Sequence, residues 1–263
     1  MVVKRILLAC LLSLLAAPLV QAAEDAPATT RVLKVRVAAF PPFYFRDAQG
    51  RWTGLDTELG QALIQRAGLQ PHFEERPWSR ALLEMKNGNM QVMMNLARTP
   101  ERSAYLYWIG PERYSQMALV VRQKDRDLRI DGIDDLPATA RTHHQNFGLQ
   151  QHVSYSPVLD RRLRDATFAR YFEYISRPEL NAEKLKAGRI IGFFEDRDAM
   201  AYEIAHNPHY KGLALHGFML EPVPVYFGIS KRGVDAATLQ KLQQAYQELV
   251  ADGTFQRIIN AWQ

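Results

Sequence analysis

Apolar and polar positions in the first half of the chain alternate between a strand period and a helix period. VLKVRVA (residues 32–38) has apolar residues at every second position, which predicts a β-strand. A helix is predicted from an N-cap at Asp56 to a stop at Gly68, with Leu59 and Leu63 on its buried face. Further strands are predicted at PHFEER and MQVMMN, and further helices at WSRALLEMKNG and TPERSAY. This alternation with short connections predicts an α/β fold with open, mainly parallel sheets.

The second half of the chain repeats this alternation with weaker signals. Apolar runs predict strands at MALVVRQ, RIIGFF and VPVYFGIS, and helical periodicity predicts helices at ELNAEKLKAG and EDRDAMAYEIA. A weaker strand is predicted at residues 138–142 and a helical region near Leu149. Two amphipathic helices close the chain, one beginning at Asp235 and one within GTFQRIINAWQ. The chain is long for one core and suits two lobes of roughly 100–120 residues each.

The first 22 residues have the parts of a secretory signal peptide. Lys4 and Arg5 precede an apolar stretch (residues 6–20), and small residues surround a cleavage position after Ala22. The stretch is too short to span a bilayer comfortably, since spanning takes about 20 apolar residues. LLAC resembles a lipoprotein attachment box but comes too early in the chain. Ordinary cleavage would remove Cys10, the single cysteine, so the exported chain would depend on packed cores and not on disulfides.

The charge balance argues against one class of partner, nucleic acid. The chain has 33 Lys and Arg residues against 28 Asp and Glu residues, a formal net charge of +5 at pH 7. The charges do not form runs of one sign, and no tract is rich in Arg and Lys, so binding to nucleic acid has little support. After the signal peptide, no segment is long and apolar enough to predict a membrane span.

Three motifs carry a resemblance to a known family. FPPFYFRDAQGRWTGLDTELGQAL, PWSRALLEMKNGNMQ and TPERSAYLYW occur in the order and at the spacing of bacterial extracellular solute-binding proteins of family three. These proteins are periplasmic receptors that feed polar amino acids to ABC transporters. The resemblance implies a type II periplasmic binding protein fold, with lobe 1 at residues 31–118 and 227–263 and lobe 2 at 119–226. Two hinge strands would join the lobes, which close around the ligand.

Arg102 is the principal candidate for the ligand site. Thr99 and Pro100 predict a helix start, where Glu101 is favoured by the helix dipole but Arg102 is disfavoured by a few tenths of a kcal/mol. In the resembling family, the arginine at the position of Arg102 holds the α-carboxylate of the ligand. A guanidinium beside free N–H groups at a helix start is well suited to grip a carboxylate.

Four further positions complete the implied site. Phe40 and Trp78 match residues that stack on or wall the ligand, although ordinary core packing would also explain them. Ala97 replaces a hydroxyl residue of the family, which leaves only its backbone N–H to bind the ligand. Asp196 matches the aspartate that receives the α-ammonium group; Glu195 could take this role instead, and an N-cap would be the ordinary role of Asp196.

Several residues depart from the family pattern. Arg98 and Arg80 are extra cations that would favour a ligand with a second negative charge, although surface arginines are usually solvated. In lobe 2, ARTHHQNFGLQQH replaces the usual Gly-Thr-Thr turn. His143, His144 and His152 in this segment lack a tight zinc spacing, so a loop lining the cleft is a better interpretation than a metal site.

The resemblance favours a periplasmic solute-binding protein without catalysis, cofactor or metal. Its expected partners are a small-molecule ligand and an ABC transporter permease, and the protein is expected to be a monomer. An enzyme resembling cyclohexadienyl dehydratase is an alternative, although the acid of the lobe 2 turn that such enzymes use to expel a leaving group is absent here. A secreted ligand sensor without a transporter is a third hypothesis.

Overall fold

The structure, a computed structural model, describes residues 30–262 as two five-stranded sheets with flanking helices, together with a small sheet of two short strands. The predicted signal peptide, residues 1–22, lies outside the described residues. We call the part of the chain around the first sheet lobe 1 and the part around the second sheet lobe 2. Lobe 1 begins with β1 (Val32–Val37), β2 (Phe45–Arg46), β3 (Trp52–Thr53), α1 (Leu55–Arg66), β4 (Gln70–Glu75), α2 (Trp78–Asn87), β5 (Val92–Ala97), α3 (Pro100–Ser103) and β6 (Leu106–Ser115). 

The chain then forms lobe 2 and returns to lobe 1. Lobe 2 contains β7 (Met117–Arg122), α4 (Leu136–His143), β8 (Asn146–Gln150), α5 (Pro157–Arg162), α6 (Ala166–Ala169), β9 (Phe172–Ile175), α7 (Glu179–Lys186), β10 (Ile190–Asp196), α8 (Arg197–His206) and β11 (Leu213–Met219). Lobe 1 is completed by β12 (Val223–Ser230), α9 (Ala236–Ala251) and α10 (Thr254–Ala261).

The two sheets have the same design. The strand order is β4-β1-β5-β12-β6 in lobe 1 and β11-β7-β10-β8-β9 in lobe 2. In each sheet three neighbouring strands run parallel, a fourth runs antiparallel to them (β12 in lobe 1, β7 in lobe 2), and the fifth strand, beyond the fourth, runs in the direction of the first three. The predicted α/β class with open sheets is therefore confirmed. The carboxyl ends of the parallel strands, where ligands bind in open sheets, face the other lobe.

The core of lobe 1 forms where the apolar periods predicted it. Leu33, Val35 and Val37 of β1 are fully buried, as are Leu59 and Leu63 of α1. The apolar positions of a strand recur every second residue and those of a helix every three or four, so the two elements bury one continuous face between them.

The start of α1 corrects one prediction. Its N-cap is Gly54 and not Asp56. Gly54 has a φ of 117°, and a Cβ at this position would lie 2.5 Å from the Phe43 carbonyl oxygen, so only glycine fits this turn. Asp56 is instead 0% exposed inside the first turn, where its carboxylate accepts hydrogen bonds from Arg113.

Two predictions in lobe 2 were wrong. Residues 138–142 form part of helix α4 and not a strand, because Leu136 and Ala140 lie four positions apart and are buried on one helix face. The segment around Leu149 is strand β8 and not a helix. Phe147 and Leu149 lie at a strand spacing, and β8 is buried between β9 and β10.

Two short segments join the lobes. The chain leaves the first sheet after Ser115 and enters the second at Met117, then returns between Leu220 and Val223. The backbone N–H of Leu220 donates to the carbonyl of Met117, so the two segments are bonded to each other. The lobe boundaries at 118/119 and 226/227 stay predictions.

Candidate functional site

A cavity of about 200 Å³ lies between the two lobes. One water molecule needs about 10–15 Å³ on the same measure, so the cavity has room for a small molecule. All five residues that the sequence predicted contribute to its wall: Phe40, Trp78, Ala97, Arg102 and Asp196. The fold thus brings together residues that are far apart in the chain. Their roles in ligand binding stay predictions.

Arg102 is held in place by main-chain groups. Its side chain lies in the wall of the cavity, and the residue is only 5% exposed. The predicted N-cap is confirmed, because the backbone N–H of Arg102 donates to Thr99 Oγ1 at 3.2 Å. The guanidinium donates to the carbonyl of Ala97 at 2.8 Å and, across the cleft, to the carbonyl of His152 at 2.7 Å. Burial lowers the pKa of Arg102, but a guanidinium remains charged and keeps further donors for an anion.

Trp78 and Phe40 form an aromatic part of the wall. The indole Nε1 of Trp78 donates to the His152 carbonyl at 3.1 Å. The guanidinium carbons of Arg36 and Arg102 lie 5.4 and 5.5 Å from its ring centroid, within the range of a cation–π interaction. The ring of Phe40 packs against Tyr44, with 5.7 Å between centroids. Both aromatic residues therefore belong to the cavity wall and to the packing around it.

Asp196 has a structural role and a position in the cavity wall. Its Oδ1 accepts the backbone N–H groups of Asp198 and Ala199, so it caps α8 as an aspartate commonly does. Its Oδ2 accepts a 2.6 Å bond from Ser115 Oγ of lobe 1 and lies 3.9 Å from Arg113. Burial raises the pKa of Asp196, although Arg113 and the Ser115 bond oppose the shift.

Glu195, the alternative to Asp196, also contributes to the cavity wall. Its carboxylate accepts the backbone N–H of Asp196 at 3.0 Å. Burial raises the pKa of Glu195 to about 7, and the neighbouring charge of Asp196 acts in the same direction. A carboxyl group of this kind is partly protonated at neutral pH, so it is able either to donate a proton or to pair with a cation.

Sequence reasoning missed Arg36, which lies near the carboxyl end of β1. Arg36 is buried at 7% exposure and contributes to the cavity wall. It donates to the Arg76 carbonyl and to Tyr44 Oη, both at 3.1 Å. The alternation of VLKVRV placed it among the polar positions of the strand. Its position near a strand end was the available signal, because open sheets bind ligands there.

A buried ion pair beside the cavity was also missed. Arg113 of β6 donates two hydrogen bonds to Asp56, at 2.7 and 3.1 Å. Burial alone would lower the pKa of Arg113, but the charge and bonds of Asp56 raise it. The preceding residue, Glu112, accepts the backbone N–H of Asn95 at 2.5 Å and has a pKa raised well above its usual value by burial. This cluster holds the strand that leads to the lobe crossing.

The extra cations and histidines of the sequence lie outside the cavity wall. Arg98 is exposed, and Arg80 pairs with Glu84 on the surface, so neither supports a second negative charge on the ligand. His143 and His144 are exposed at the end of α4. His152 reaches the site through its main-chain carbonyl alone.

Two further features are absent from residues 30–262. Within this range, no group of three or more His, Cys, Asp or Glu side chains is arranged to hold a metal ion. The helices that the structure describes include none with the length and apolar character needed to cross a bilayer.

Comparison with known proteins identifies relatives along almost the whole chain. Residues 33–263 match the family of bacterial extracellular solute-binding proteins, family 3. The ABC transporter arginine-binding protein 1 of Escherichia coli (strain K12) is 27% identical over 237 residues, which cover 86% of this chain and 87% of the relative.

Solved structures show the same fold. An ancestral arginine-binding protein bound to arginine superposes with a TM-score of 0.71 at 22% identity, covering 88% of this chain and 97% of that one. An ancestral amino acid-binding protein, a precursor of cyclohexadienyl dehydratase, has a TM-score of 0.69 at 20% identity and covers 88% of this chain and 95% of its own. At these identities the likeness establishes the fold and not the ligand.

Proposed function

Because this chain belongs to the bacterial extracellular solute-binding proteins of family 3, we propose that it captures a polar amino acid or a similar small carboxylate between its lobes. The captured ligand is delivered to the membrane permease of an ABC transporter. The proposed location is the periplasm, reached after cleavage of residues 1–22. The Escherichia coli relative, an arginine-binding protein of an ABC transporter, supports this proposal.

The observation that carries the proposal is the placement of Arg102 and Asp196 in the wall of one cavity. Arg102 belongs to lobe 1 and Asp196 to lobe 2, so a zwitterion that bound both would hold the lobes together. The guanidinium would pair with the α-carboxylate, and the carboxylate of Asp196 with the α-ammonium group. Both charged groups are buried, which strengthens each interaction relative to one in water.

Thermal denaturation with a ligand panel tests the proposal. The panel contains the 20 common L-amino acids and small organic acids, each added to the purified protein. A ligand that binds only the folded state stabilises it by about 2.7 kcal/mol at 100 times its Kd. We expect a clear rise in Tm for at least one polar amino acid or small carboxylate. If no panel member raised the Tm, the proposed function would be wrong.

A dehydratase is a second candidate, favoured by one observation. Glu195 faces the cavity with a pKa of about 7, which suits a general acid at neutral pH. The family turn that carries the acid in cyclohexadienyl dehydratases is absent, so Glu195 would have to replace it. Incubation with prephenate and with arogenate tests this candidate. Turnover of either compound by the wild-type protein that is lost in the Glu195→Gln variant would show that the protein is an enzyme and would replace the proposed binding function.

A further inference from the structure

The charged residues of the cavity wall are sorted by lobe. Arg36 and Arg102, its two cations, both belong to lobe 1. Lobe 2 contributes four carboxylates, which belong to Glu179, Glu195, Asp196 and Glu203. An α-amino acid brings one negative and one positive group. With Arg102 and Asp196 engaged by these groups, the remaining acids of lobe 2 would still face the ligand.

The four acids differ in the partners that they already have. Asp196 caps α8 and lies 3.9 Å from Arg113, and Glu179 pairs with Arg177 at 2.9 Å. Glu195 and Glu203 have no such partner, because no Lys, Arg or His nitrogen of residues 30–262 lies within 4 Å of their oxygens. Glu195 accepts only a backbone N–H, and Glu203 accepts the side-chain amide of Asn207.

The carboxylate of Glu195 is poorly solvated where it lies. Burial raises the pKa of Glu195 to about 7, since the ionised form loses water without gaining a cation. Glu203 of α8 and Tyr210 contribute to the same cavity wall. Burial raises the pKa of Tyr210, and the charges of Glu203 and Glu195 act in the same direction. A positive group of the ligand beside Glu195 in this cavity would supply the missing partner.

The cations of lobe 1 are less available to a second negative group of a ligand, because Arg36 already has several partners. The Nε and one terminal nitrogen of Arg36 donate to the Arg76 carbonyl and to Tyr44 Oη. Its guanidinium carbon also lies 5.4 Å from the ring centroids of Tyr44 and Trp78. Arg36 is thus built into the wall by four contacts, whereas Glu195 has one.

We propose that the ligand is a basic α-amino acid and that Glu195, assisted by Glu203, binds its side-chain cation. This inference rests on the proposed function, since Arg102 and Asp196 must first orient the α-carboxylate and α-ammonium groups. Glu195 is then a residue that determines specificity. Its effect is a preference for amino acids with a positive side chain over amino acids of the same length with a neutral side chain.

Calorimetric titration with matched ligand pairs tests the inference. L-Arginine is compared with L-citrulline, and L-lysine with L-norleucine, at pH 8. We expect the protein to bind each basic member at least tenfold more tightly than its neutral partner. The Glu195→Gln variant should lose at least tenfold in affinity for the basic ligands and bind the neutral ligands as before. Glu183→Gln, which removes an exposed carboxylate of the same lobe, should change neither.

The pH dependence of binding shows whether Glu195 binds the ligand in its charged or in its protonated form. The titratable groups that surround it are Asp196 on its own strand, Glu179 on α7, Glu203 on α8, Tyr210 and Tyr155. The affinity for L-arginine should rise between pH 5.5 and 8, by up to about tenfold per pH unit below the pKa of Glu195. Glu195→Gln should flatten this rise. An affinity that fell with rising pH would show a protonated Glu195 donating to the ligand and would overturn the inference.

The outcomes distinguish this inference from the proposed function. Equal affinity for L-arginine and L-citrulline would overturn the inference and leave an amino acid-binding function intact. Equal losses for basic and neutral ligands in Glu195→Gln would also overturn it. If no amino acid or small organic acid binds, the proposed function fails and the inference fails with it. The Tm of the free variant checks folding, and it should not fall, because glutamine removes a poorly solvated charge.

Discussion

The two lobes hold their charged cavity residues in different ways. The cations of lobe 1, Arg36 and Arg102, donate to main-chain carbonyls, which fix a guanidinium in position without neutralising it. In lobe 2, Asp196 is fixed by capping α8, whereas Glu195 accepts one local backbone bond. Lobe 1 thus presents a preorganised positive wall, and lobe 2 a negative wall that a ligand would help to organise. We therefore expect the two halves of the cleft to differ in rigidity as well as in charge.

The buried pair of Arg113 and Asp56 gives the strongest test of the rigidity of lobe 1. Arg113→Ala would leave Asp56 buried without its partner, so we expect a loss of about 3–5 kcal/mol in the free energy of unfolding. Urea denaturation measures this loss. The matched control is Arg80→Ala, because Arg80 is 70% exposed in its pair with Glu84 and should contribute less than about 1 kcal/mol. Equal losses in both variants would contradict the rigid wall.

Replacement of Arg102 tests whether the positive wall binds the ligand. Arg102→Ala should weaken binding by roughly 2–5 kcal/mol, because the carboxylate of the ligand would lose its buried partner. Titration with the amino acid that gives the largest thermal shift measures the effect. Arg98→Ala is the control, since Arg98 lies four residues earlier, is exposed and is absent from the cavity wall. Unchanged affinity in Arg102→Ala would remove this residue from the site.

The pH dependence of the free energy of unfolding tests whether Glu195, in the negative wall of lobe 2, is poorly solvated. The pKa of Glu195 rises from 4.5 to about 7 on folding, so protonated Glu195 favours the folded state below pH 4.5. This contribution, up to about 3 kcal/mol, is lost as the pH rises through 7. Urea denaturation at pH 4.5 and pH 8 should therefore show a larger decrease for the wild type than for Glu195→Gln. Parallel decreases in the two proteins would mean that Glu195 is well solvated.

Replacement of two helix caps should give the smallest effects on stability, and it tests selectively whether α3 contributes to binding. Thr99 caps α3 of lobe 1, and Ser156 caps α5 of lobe 2. Replacement of either by alanine should lower the free energy of unfolding by about 1 kcal/mol. Thr99→Ala should also weaken ligand binding, because α3 carries Arg102, whereas Ser156→Ala should leave binding unchanged. A similar effect of both variants on binding would show that α3 has no special role in the site.

The fold was more predictable in lobe 1 than in lobe 2, for a physical reason. In β1 and α1, large apolar residues repeat at an unambiguous period, so a strand and a helix bury clear faces. Residues 138–142 offer only small and polar side chains, and Leu136, outside that window, decides the helix. In β8, burial depends on the neighbouring strands, which a local pattern does not contain.

The candidate site was predictable where a family motif marked it. Arg102, Trp78 and Asp196 were identified in this way, and all three contribute to the cavity wall. Arg36 was missed because a polar residue in an alternating strand usually faces water. The choice between Glu195 and Asp196 could not be made from the sequence, since both lie at a strand end where the chain turns into α8. The structure places both in the wall.

The His152 carbonyl adds a condition on any ligand that binds Arg102. This oxygen accepts hydrogen bonds from Arg102 and from Trp78, so it is an internal competitor for the same donors. A neutral oxygen of a ligand would exchange one carbonyl for another and gain little. A carboxylate oxygen forms charge-assisted bonds that are roughly twice as strong, so it wins the exchange. We therefore expect the cleft to favour ligands whose acceptor oxygen carries a negative charge over ligands whose oxygen is neutral.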